Sequence, residues 1–457
     1  METLAVRIAA KAYNQTQMLT SLPPAIRRFS PCHRTAPVVA ALAAVGLCLS
    51  TLANAQTTAA DKPAVTATTV AALNTPDLAI MVDHALANYP ALIVAQSARN
   101  VARYDIERAQ AKHYPTVSVA GSRKLDGAVT GSLGPRVNLN LYASGAIEAE
   151  VERERWREMA LTSTESERRE DIAFDVVQAY YRVLAAVRLR DTTRRSLDRH
   201  LELVDDFREI AKIDQGRRFD LVQSQARAEQ VRFQLAERDT EIALAREALA
   251  RFYPEPFDPE RLPMPPAMPN PLPVTVEGQA LLAEKHPAVL AAERQLMAAR
   301  ANLKVAKGNR GPRVDVESQT GANRFSQLTL SWPAFDMSAS AAQSSADAAL
   351  LGAAAEVDEQ RRLVLETQRR AIAAWRTANE RQRIAENQID IAGQLVEVYR
   401  EQFGIGRRNL LDLLNAYSEL ASAEAAAESS KIDAGLARRE VEYAIGHLSR
   451  AVTSEQP

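Results

Sequence analysis

The chain has 457 residues, of which 46% are hydrophobic, 25% are charged and only 5% are aromatic, and its formal net charge is −1. This near-neutral balance excludes a strongly basic surface of the kind that binds nucleic acid or another polyanion. With only 17 glycines and an abundance of Ala, Glu, Arg, Gln and Leu, the composition favours long helices over a thick sheet core.

Residues 1–55 are predicted to be a secretory signal peptide. Arg27, Arg28 and Arg34 precede an uncharged apolar run from Val38 to Leu52, and Ala53-Asn54-Ala55 provides a small-residue cleavage site. A short anchor helix is the alternative, but the apolar run is shorter than a bilayer requires. We therefore expect cleavage after Ala55 and export of the remaining chain.

Both cysteines, Cys32 and Cys48, lie inside the predicted leader, so the mature chain is expected to contain no disulfide and no thiolate metal site. Lipidation of Cys48 is not expected, because Val45-Gly46-Leu47 is a poor match to a lipid-attachment site. No stretch beyond residue 55 offers about 18 consecutive uncharged apolar residues, so no transmembrane helix is expected in the mature protein.

The mature chain is predicted to be an internal duplication. Its expected parts are a disordered segment (56–75), a first structural repeat (76–253), a proline-rich linker (254–273), a second structural repeat (274–450) and a tail (451–457). At an offset of 197 positions Pro90 and Pro115 match Pro287 and Pro312, and at an offset of 192 positions Asp220 matches Asp412. Each repeat therefore reads as helix, two strands, long helix, turn and helix.

The first repeat opens with a helical pattern from Leu78 to about His113 that is broken at Tyr89-Pro90. Two short runs follow, Thr116–Ala120 and Val137–Leu141, and their alternation of apolar and polar residues predicts strands with two different faces. The corresponding runs after Pro312 predict two more strands.

The longest predicted element is a helix from Gly145 to Ile213, which contains no proline. At about 1.5 Å per residue it would span roughly 100 Å, far more than a compact domain needs. Its narrow apolar stripe between charged flanks is typical of a coiled coil or helical barrel. A second rod is predicted from Asp336 to about Gly404, and each rod leads through a turn into a further helix.

Four strands cannot close a barrel, and open polar edges cannot sit in lipid, so strands that enter a membrane must be pooled between chains. Three chains would supply twelve strands, within the range of outer-membrane barrels. The predicted lipid-facing residues are Val117, Val119, Val137, Leu139, Leu141, Val314, Val316, Leu328, Leu330 and Trp332. The opposite face is polar, which suits a water-filled lumen. The alternative is a small soluble sheet that caps the rods.

From Leu78 to Leu448 the sequence resembles the TolC family of outer-membrane channel proteins. The resemblance rests on the two P-x(24)-P units before the strands, on Leu141-Tyr142-Ala143-Ser144-Gly145 before the first rod, and on the turns Gly216–Leu221 and Gly406–Leu414. It implies a homotrimer with a shared twelve-stranded barrel in the outer membrane and a helical tunnel across the periplasm of a Gram-negative bacterium. It also implies a periplasmic adaptor and an inner-membrane ABC or other pump as partners.

The resemblance further implies a gate at the turns between the rods and their partner helices. The residues carried over by position are Asp220, Arg217, Arg218, Phe403, Arg407, Arg408, Asp412 and Asn415. This sequence departs from the family pattern because Phe403 has no hydroxyl, because Gly216 lies two residues closer to Asp220, and because Asn415 replaces an acid. The closed state is therefore expected to rely on arginine–Asp220 pairing. Alternatively, these charges only cap helix ends.

The expected function is a passive exit duct for a tripartite exporter. The absent lipidation site and the Phe219–Gln223 turn favour type I secretion of a toxin or adhesin, with small-molecule efflux as the alternative. A periplasmic adaptor or coiled-coil scaffold is the rival from another class. The six histidines show no metal-binding spacing and no nucleotide or nucleophile motif is present, so neither an enzyme, a cofactor nor a metal is expected.

Overall fold

The computed structural model of the chain describes residues 76–123, 131–266, 276–321 and 324–453. These residues belong to one compact unit that runs from Val70 to Pro457. The predicted signal peptide, the segment 56–75 and the end of the tail lie outside the described residues, as do linker residues 267–273. The predictions made for those parts therefore stay predictions.

Nine helices and four strands make up the described part of the chain. In order they are α1 (Leu78–Asn88), α2 (Pro90–Ala111), β1 (Thr116–Arg123), β2 (Gly131–Tyr142), α3 (Ala146–Ile213), α4 (Arg218–Ala250), α5 (Val276–Glu284), α6 (Pro287–Gly308), β3 (Arg313–Gln319), β4 (Phe325–Ser331), α7 (Met337–Gly404), α8 (Leu410–Ala444) and α9 (Leu448–Thr453). The prediction of a mainly helical chain with long helices and four antiparallel strands is confirmed.

The two rods, α3 and α7, are each 68 residues long, or about 100 Å at 1.5 Å per residue. They begin differently. Gly145 precedes α3 with a φ of 77°, a left-handed conformation that glycine adopts without strain. Asp336 precedes α7 and its carboxylate accepts hydrogen bonds from the backbone N–H groups of Ser338 and Ala339, which satisfies free donors at the helix start.

The four strands form one antiparallel sheet in the order β1-β2-β3-β4. Val117 pairs with Val137 across the first two strands, and Val316 pairs with Leu139 on one side and Leu328 on the other. A bulge interrupts the β2–β3 register between Asn140 and Tyr142. β2 has 12 residues and is therefore longer than the alternating run that predicted it.

α3 is the central element, since it packs against α2, α4, α6 and α8. α7 packs against α6 and α8, so the long helices follow the order α4, α3, α8, α7. The largest apolar cluster joins α1, the middle of α3 and the end of α4, with Val176, Tyr180 and Leu249 fully buried. A second cluster fills the space between α3, α7 and α8 near their turns.

The first part of the predicted linker is packed rather than free. Phe257 and Leu262 are buried in the largest cluster, and a short 3₁₀ turn lies between them at Pro259–Arg261. The Tyr180 hydroxyl donates to the Pro263 carbonyl at 2.6 Å. Proline content excluded regular structure here, but it did not exclude side-chain burial.

Among the described helices, none is by itself long and apolar enough to span a bilayer. α1 and α2 taken together, with a bend of 44° between them, are the one pair in the described part of the chain that meets that measure of length and composition.

Candidate functional site

The turns between the rods and their partner helices are built in two different ways. In the first tip (residues 214–217, between α3 and α4) the Asp214 carboxylate accepts from the Gly216 N–H at 2.9 Å and stabilises a 3₁₀ turn. In the second tip (residues 405–409, between α7 and α8) Gly406 has a φ of 73°, and the Asn409 side chain accepts from the Asp412 N–H at 2.8 Å. Asn409 is therefore the N-cap of α8.

An apolar cluster joins the two hairpins just before their tips. Its α3 members, Leu203 and Phe207, pack with Leu413 and Leu414 of α8 and with the C-terminal part of α7. Phe207 is only 1% exposed, and its ring meets the Phe403 ring edge-on at 5.6 Å between centroids. The hairpins of one chain are thus held together by side-chain packing down to the level of Phe403.

Arg217 adds a contact that crosses from the first tip to the second hairpin. Its guanidinium lies 6.0 Å from the centroid of the Phe403 ring, within the range of a cation–π interaction. The same group lies 3.9 Å from the Asp220 carboxylate one turn further along α4. Arg217 therefore links Asp220 to an aromatic ring of the other hairpin.

Arg408 contacts only its own hairpin among the interactions of the described residues. Its guanidinium lies 3.5 Å from Asp412, donates to the Gln402 side chain at 3.1 Å, and lies 4.3 Å from the centroid of the Tyr399 ring. Sequence reasoning missed Tyr399, although it precedes Phe403 by four residues and so shares its helix face.

The predicted site residues are thus brought to the same end of the molecule, but Asp220 and Arg408 do not pair with each other in the described single chain. Each has a partner in its own hairpin. Arg407 is exposed in the second tip, and Arg218 and Asn415 are exposed in the helices that follow the tips. The latch between Asp220 and Arg408 remains a prediction for the assembled protein.

Exposed apolar side chains surround these charges. Ile213, which directly precedes the first tip, is 91% exposed, and the others in or next to the tips are Phe219, Val222, Ile405 and Leu411. Large apolar groups that cluster at one end of a monomer are typical of an interaction surface.

The sheet carries the other predicted set, the lipid-facing residues. Val117, Val119, Val137, Leu139, Val314, Val316, Leu328 and Leu330 lie on one side of the sheet, here called the apolar face, Leu141 lies in the bulge, and Trp332 follows the end of β4. The apolar face points away from the rest of the chain, since Val119 is 74% and Leu330 is 69% exposed. The Trp332 indole donates to the Arg310 carbonyl at 3.2 Å.

The polar face of the sheet lies on the opposite side and turns toward the helices. Asn140 donates to Asp315 at 2.8 Å, and Arg136 pairs with Glu317 at 3.0 Å. This face borders an open cavity of about 840 Å³ whose other walls are the end of α2, the start of α3 and the end of α6. A soluble sheet that caps the rods would show the reverse arrangement, with its apolar residues against the helices.

The described residues contain no group of three or more His, Asp or Glu side chains arranged to hold a metal ion. Several buried ionisable groups nevertheless occur in the helical part. Burial lowers the pKa of His286 to about 4, an effect that Asp171 opposes and His447 increases. His286 accepts from the Ala288 N–H and so caps α6, which explains its position without a catalytic role.

The sequence matches the model of a known protein family over most of its length. The sequence model of the family described as "Outer membrane efflux protein" matches residues 81–253 and 279–447. A search of the curated protein sequences found no match.

Solved structures share the fold at low identity. The outer-membrane channel OprN is 22% identical with a TM-score of 0.70, over 81% of this chain and 90% of that one. CusC is 17% identical with a TM-score of 0.72, over 82% and 92%, and the open-state MtrE outer membrane channel of Neisseria gonorrhoeae is 21% identical with a TM-score of 0.68, over 82% and 90%.

Proposed function

Because the chain belongs to the outer membrane efflux protein family, we propose that three copies form a passive exit duct for a tripartite exporter. The protein is a non-enzymatic outer-membrane channel protein of a Gram-negative bacterium and extends into the periplasm. Channels of this family are trimers that work with an adaptor and a pump. In the proposed assembly the sheets of three copies make a twelve-stranded barrel and their rods make the tunnel.

The observation that carries this proposal is the orientation of the sheet. Its apolar face is exposed while its polar face borders the cavity at the ends of the helices. An exposed apolar face of this size is costly in water and favourable in lipid, and the polar face then lines an aqueous path. The predicted lipid-facing residues and Trp332 as interfacial anchor fit this arrangement.

The duplication supports assembly with further copies. α6 packs against both α3 and α7, whereas its counterpart α2 has one major helical neighbour, α3. The α2 side without a neighbour is apolar, with Ile93, Val94, Val101 and Tyr104 all more than half exposed. At the offset of 197, Val94 and Tyr104 correspond to Ala291 and Ala301 of α6, which are buried. We propose that α7 of a second copy covers α2.

The same comparison of the two repeats locates the surface of α7 that would cover α2. Arg294 of α6 donates to the Met159 carbonyl of α3. At the offset of 192 Met159 corresponds to Leu351 of α7, which is 73% exposed. Leu351 of one copy is therefore proposed to meet α2 of the next. α7 of each copy then covers α2 of its neighbour, and repetition of this contact closes the ring.

The tips are proposed to be the periplasmic end of the duct. Their exposed apolar residues fit an adaptor that docks end-on, and their charged residues fit a gate that docking would open. Asp220, Arg217, Arg218, Phe403, Arg407, Arg408, Asp412 and Asn415 form the proposed constriction.

Two cargo classes are proposed. Secretion of a toxin or adhesin by a type I system is favoured by the lack of an expected lipidation site and by the Phe219–Gln223 turn. Small-molecule efflux is favoured by the family description. Deletion of the gene distinguishes them. Loss of one large exported protein without drug sensitisation would support secretion, and drug sensitisation with unchanged secretion would support efflux.

The rival reading as a periplasmic adaptor or scaffold is less well supported, because the chain has two tandem hairpins and its sheet exposes apolar residues. Washing membranes with carbonate or urea tests it. The proposed channel should stay in the outer-membrane fraction, whereas release of most of the protein would contradict a membrane-embedded sheet.

A further inference from the structure

A cleft between α3, α6 and the turn from α8 to α9 collects positive charge away from the tips and the sheet. Four cationic side chains line it: Arg169 of α3, Lys285 just before α6, Arg294 of α6, and Arg450 of α9. In the part of the chain that the structure describes, none of the four forms an ion pair with a carboxylate. We call this feature the basic cleft.

The lack of carboxylate partners is unusual for this chain. Its helices carry many arginines, and most of the half-buried ones elsewhere in the described chain are matched by acids, as in the bidentate contact of Arg199 with Glu424. Arg169 and Arg294 are also half-buried. Arg294 instead donates to two neutral oxygens, the Met159 carbonyl and the Ser163 hydroxyl.

The acid in the basic cleft, Glu170, is already used. Its carboxylate accepts from the backbone N–H of Ser449 at 3.0 Å and from the Ser449 hydroxyl, so it holds the start of α9. Pro287, the first residue of α6, also lines the cleft, so the positive end of that helix dipole adds to the field. The net charge of the lining is therefore positive.

The basic cleft has a volume of about 340 Å³, which is room for about ten waters at about 30 Å³ each. The Thr162 and Ser166 hydroxyls donate to carbonyls of their own helix, so the cationic side chains are the groups that face a ligand in the cleft. We propose that the basic cleft binds a small multivalent oxyanion, either a polycarboxylate or a phosphate compound, since clustered guanidinium and ammonium groups match such oxygens. This site does not depend on the proposed exit duct.

The test uses the full-length protein in detergent, titrated with citrate or with inorganic phosphate at constant ionic strength set by chloride. Calorimetry should show saturable binding with one site per chain. The Lys285 and Arg450 side chains are exposed and form no hydrogen bond or ion pair in the described chain, so Lys285→Gln with Arg450→Gln should fold normally. Each lost exposed cation should weaken binding by about threefold, and the double variant by about tenfold.

Arg169→Gln removes a half-buried cation and should weaken binding by about tenfold on its own. The matched control is Arg188→Gln with Arg195→Gln, which removes two exposed α3 arginines outside the cleft and should leave the affinity unchanged. Binding of citrate alone would assign a carboxylate ligand, and binding of phosphate alone a phosphate ligand. No saturable binding, or equal affinity in the Lys285/Arg450 variant, would overturn the proposal.

Discussion

The contact of Phe403 with Phe207 and Arg217 allows a sharp test of how the duct closes. It is the contact nearest the tips that joins the two hairpins of one chain through an aromatic ring. We expect opening to move the tips apart and to break it. Phe403→Ala should therefore favour the open state.

The size of the effect follows from the two interactions lost. An edge-on aromatic pair contributes about 0.5–1.5 kcal/mol beyond its burial, and a cation–π contact at a partly exposed site about 0.5–1 kcal/mol. Together they amount to about 1–2.5 kcal/mol for each copy, so the open-to-closed ratio should rise by about 5-fold to 60-fold. Concerted opening of three copies would increase this factor further.

The assay is single-channel recording in planar bilayers, with open probability as the measured quantity. Phe219→Ala is the matched control, because Phe219 lies just after the first tip but is 72% exposed and makes no ring contact in the described chain. Arg217→Gln should act in the same direction as Phe403→Ala, because it removes the cation–π contact with Phe403.

Salt separates this contact from the predicted latch between Asp220 and Arg408. Raising the salt from about 0.1 M to 1 M shortens the Debye length from about 10 Å to about 3 Å and weakens exposed ion pairs. An ion-pair latch would then open in high salt, and Asp220→Ala with Arg408→Ala would raise the open probability in the same way as high salt. If Phe403→Ala leaves the open probability within about twofold of wild type while the Asp220/Arg408 variant raises it, the aromatic explanation is wrong.

Three further predictions concern the sheet, the assembly and pH. Val119→Lys should reduce the carbonate-resistant fraction in outer membranes, because a lysine in the lipid region costs up to about 2–4 kcal/mol, while Ser118→Lys on the polar face should not; equal loss in both would refute the assignment of faces. Tyr104→Asp on α2 should shift purified protein from trimer toward monomer in light scattering, with Gln96→Asp on the other side of α2 as control, and an intact trimer would contradict the proposed α2 contact. His286 has a lowered pKa of about 4, so the unfolded state takes up its proton first and stability should fall as the pH drops from about 6.5 to 4. His286→Asn keeps a capping side chain, and over this range its free energy of unfolding, followed by thermal melts, should fall by up to about 3 kcal/mol less than that of wild type. Identical pH profiles of the two proteins would exclude His286 as the cause.

The rods and strands were predictable because their signals are local. Proline is absent from both rods, and the alternation in the strands survives in the final register, where Val316 lies between Leu139 and Leu328. The break at Tyr89-Pro90 was predictable for the same reason, since proline at the first position of α2 needs no N–H partner.

The details of the tips were not predictable, because they depend on contacts between hairpins that are distant in sequence. Phe403 was assigned from its position, but its contacts with Phe207 and Arg217 require α8 to pack against both α3 and α7. The ring of Tyr399 under Arg408 was missed because it depends on the turn geometry that Asn409 and Gly406 impose. The basic cleft joins three segments and has no local signal at all.

Where the two repeats differ in length also follows from the architecture. The repeat offset falls from 197 before the strands to 192 near the tips, yet both rods have 68 residues. The difference lies in the strand region, where β2 has 12 residues and β4 has 7. A change of one helical turn in a rod would displace a tip by about 5.4 Å and would separate Phe207 from Phe403. Strand ends and turns face no such constraint. The difference in length between the repeats therefore lies there, while the equal length of the rods keeps the two tips at the same distance from the sheet.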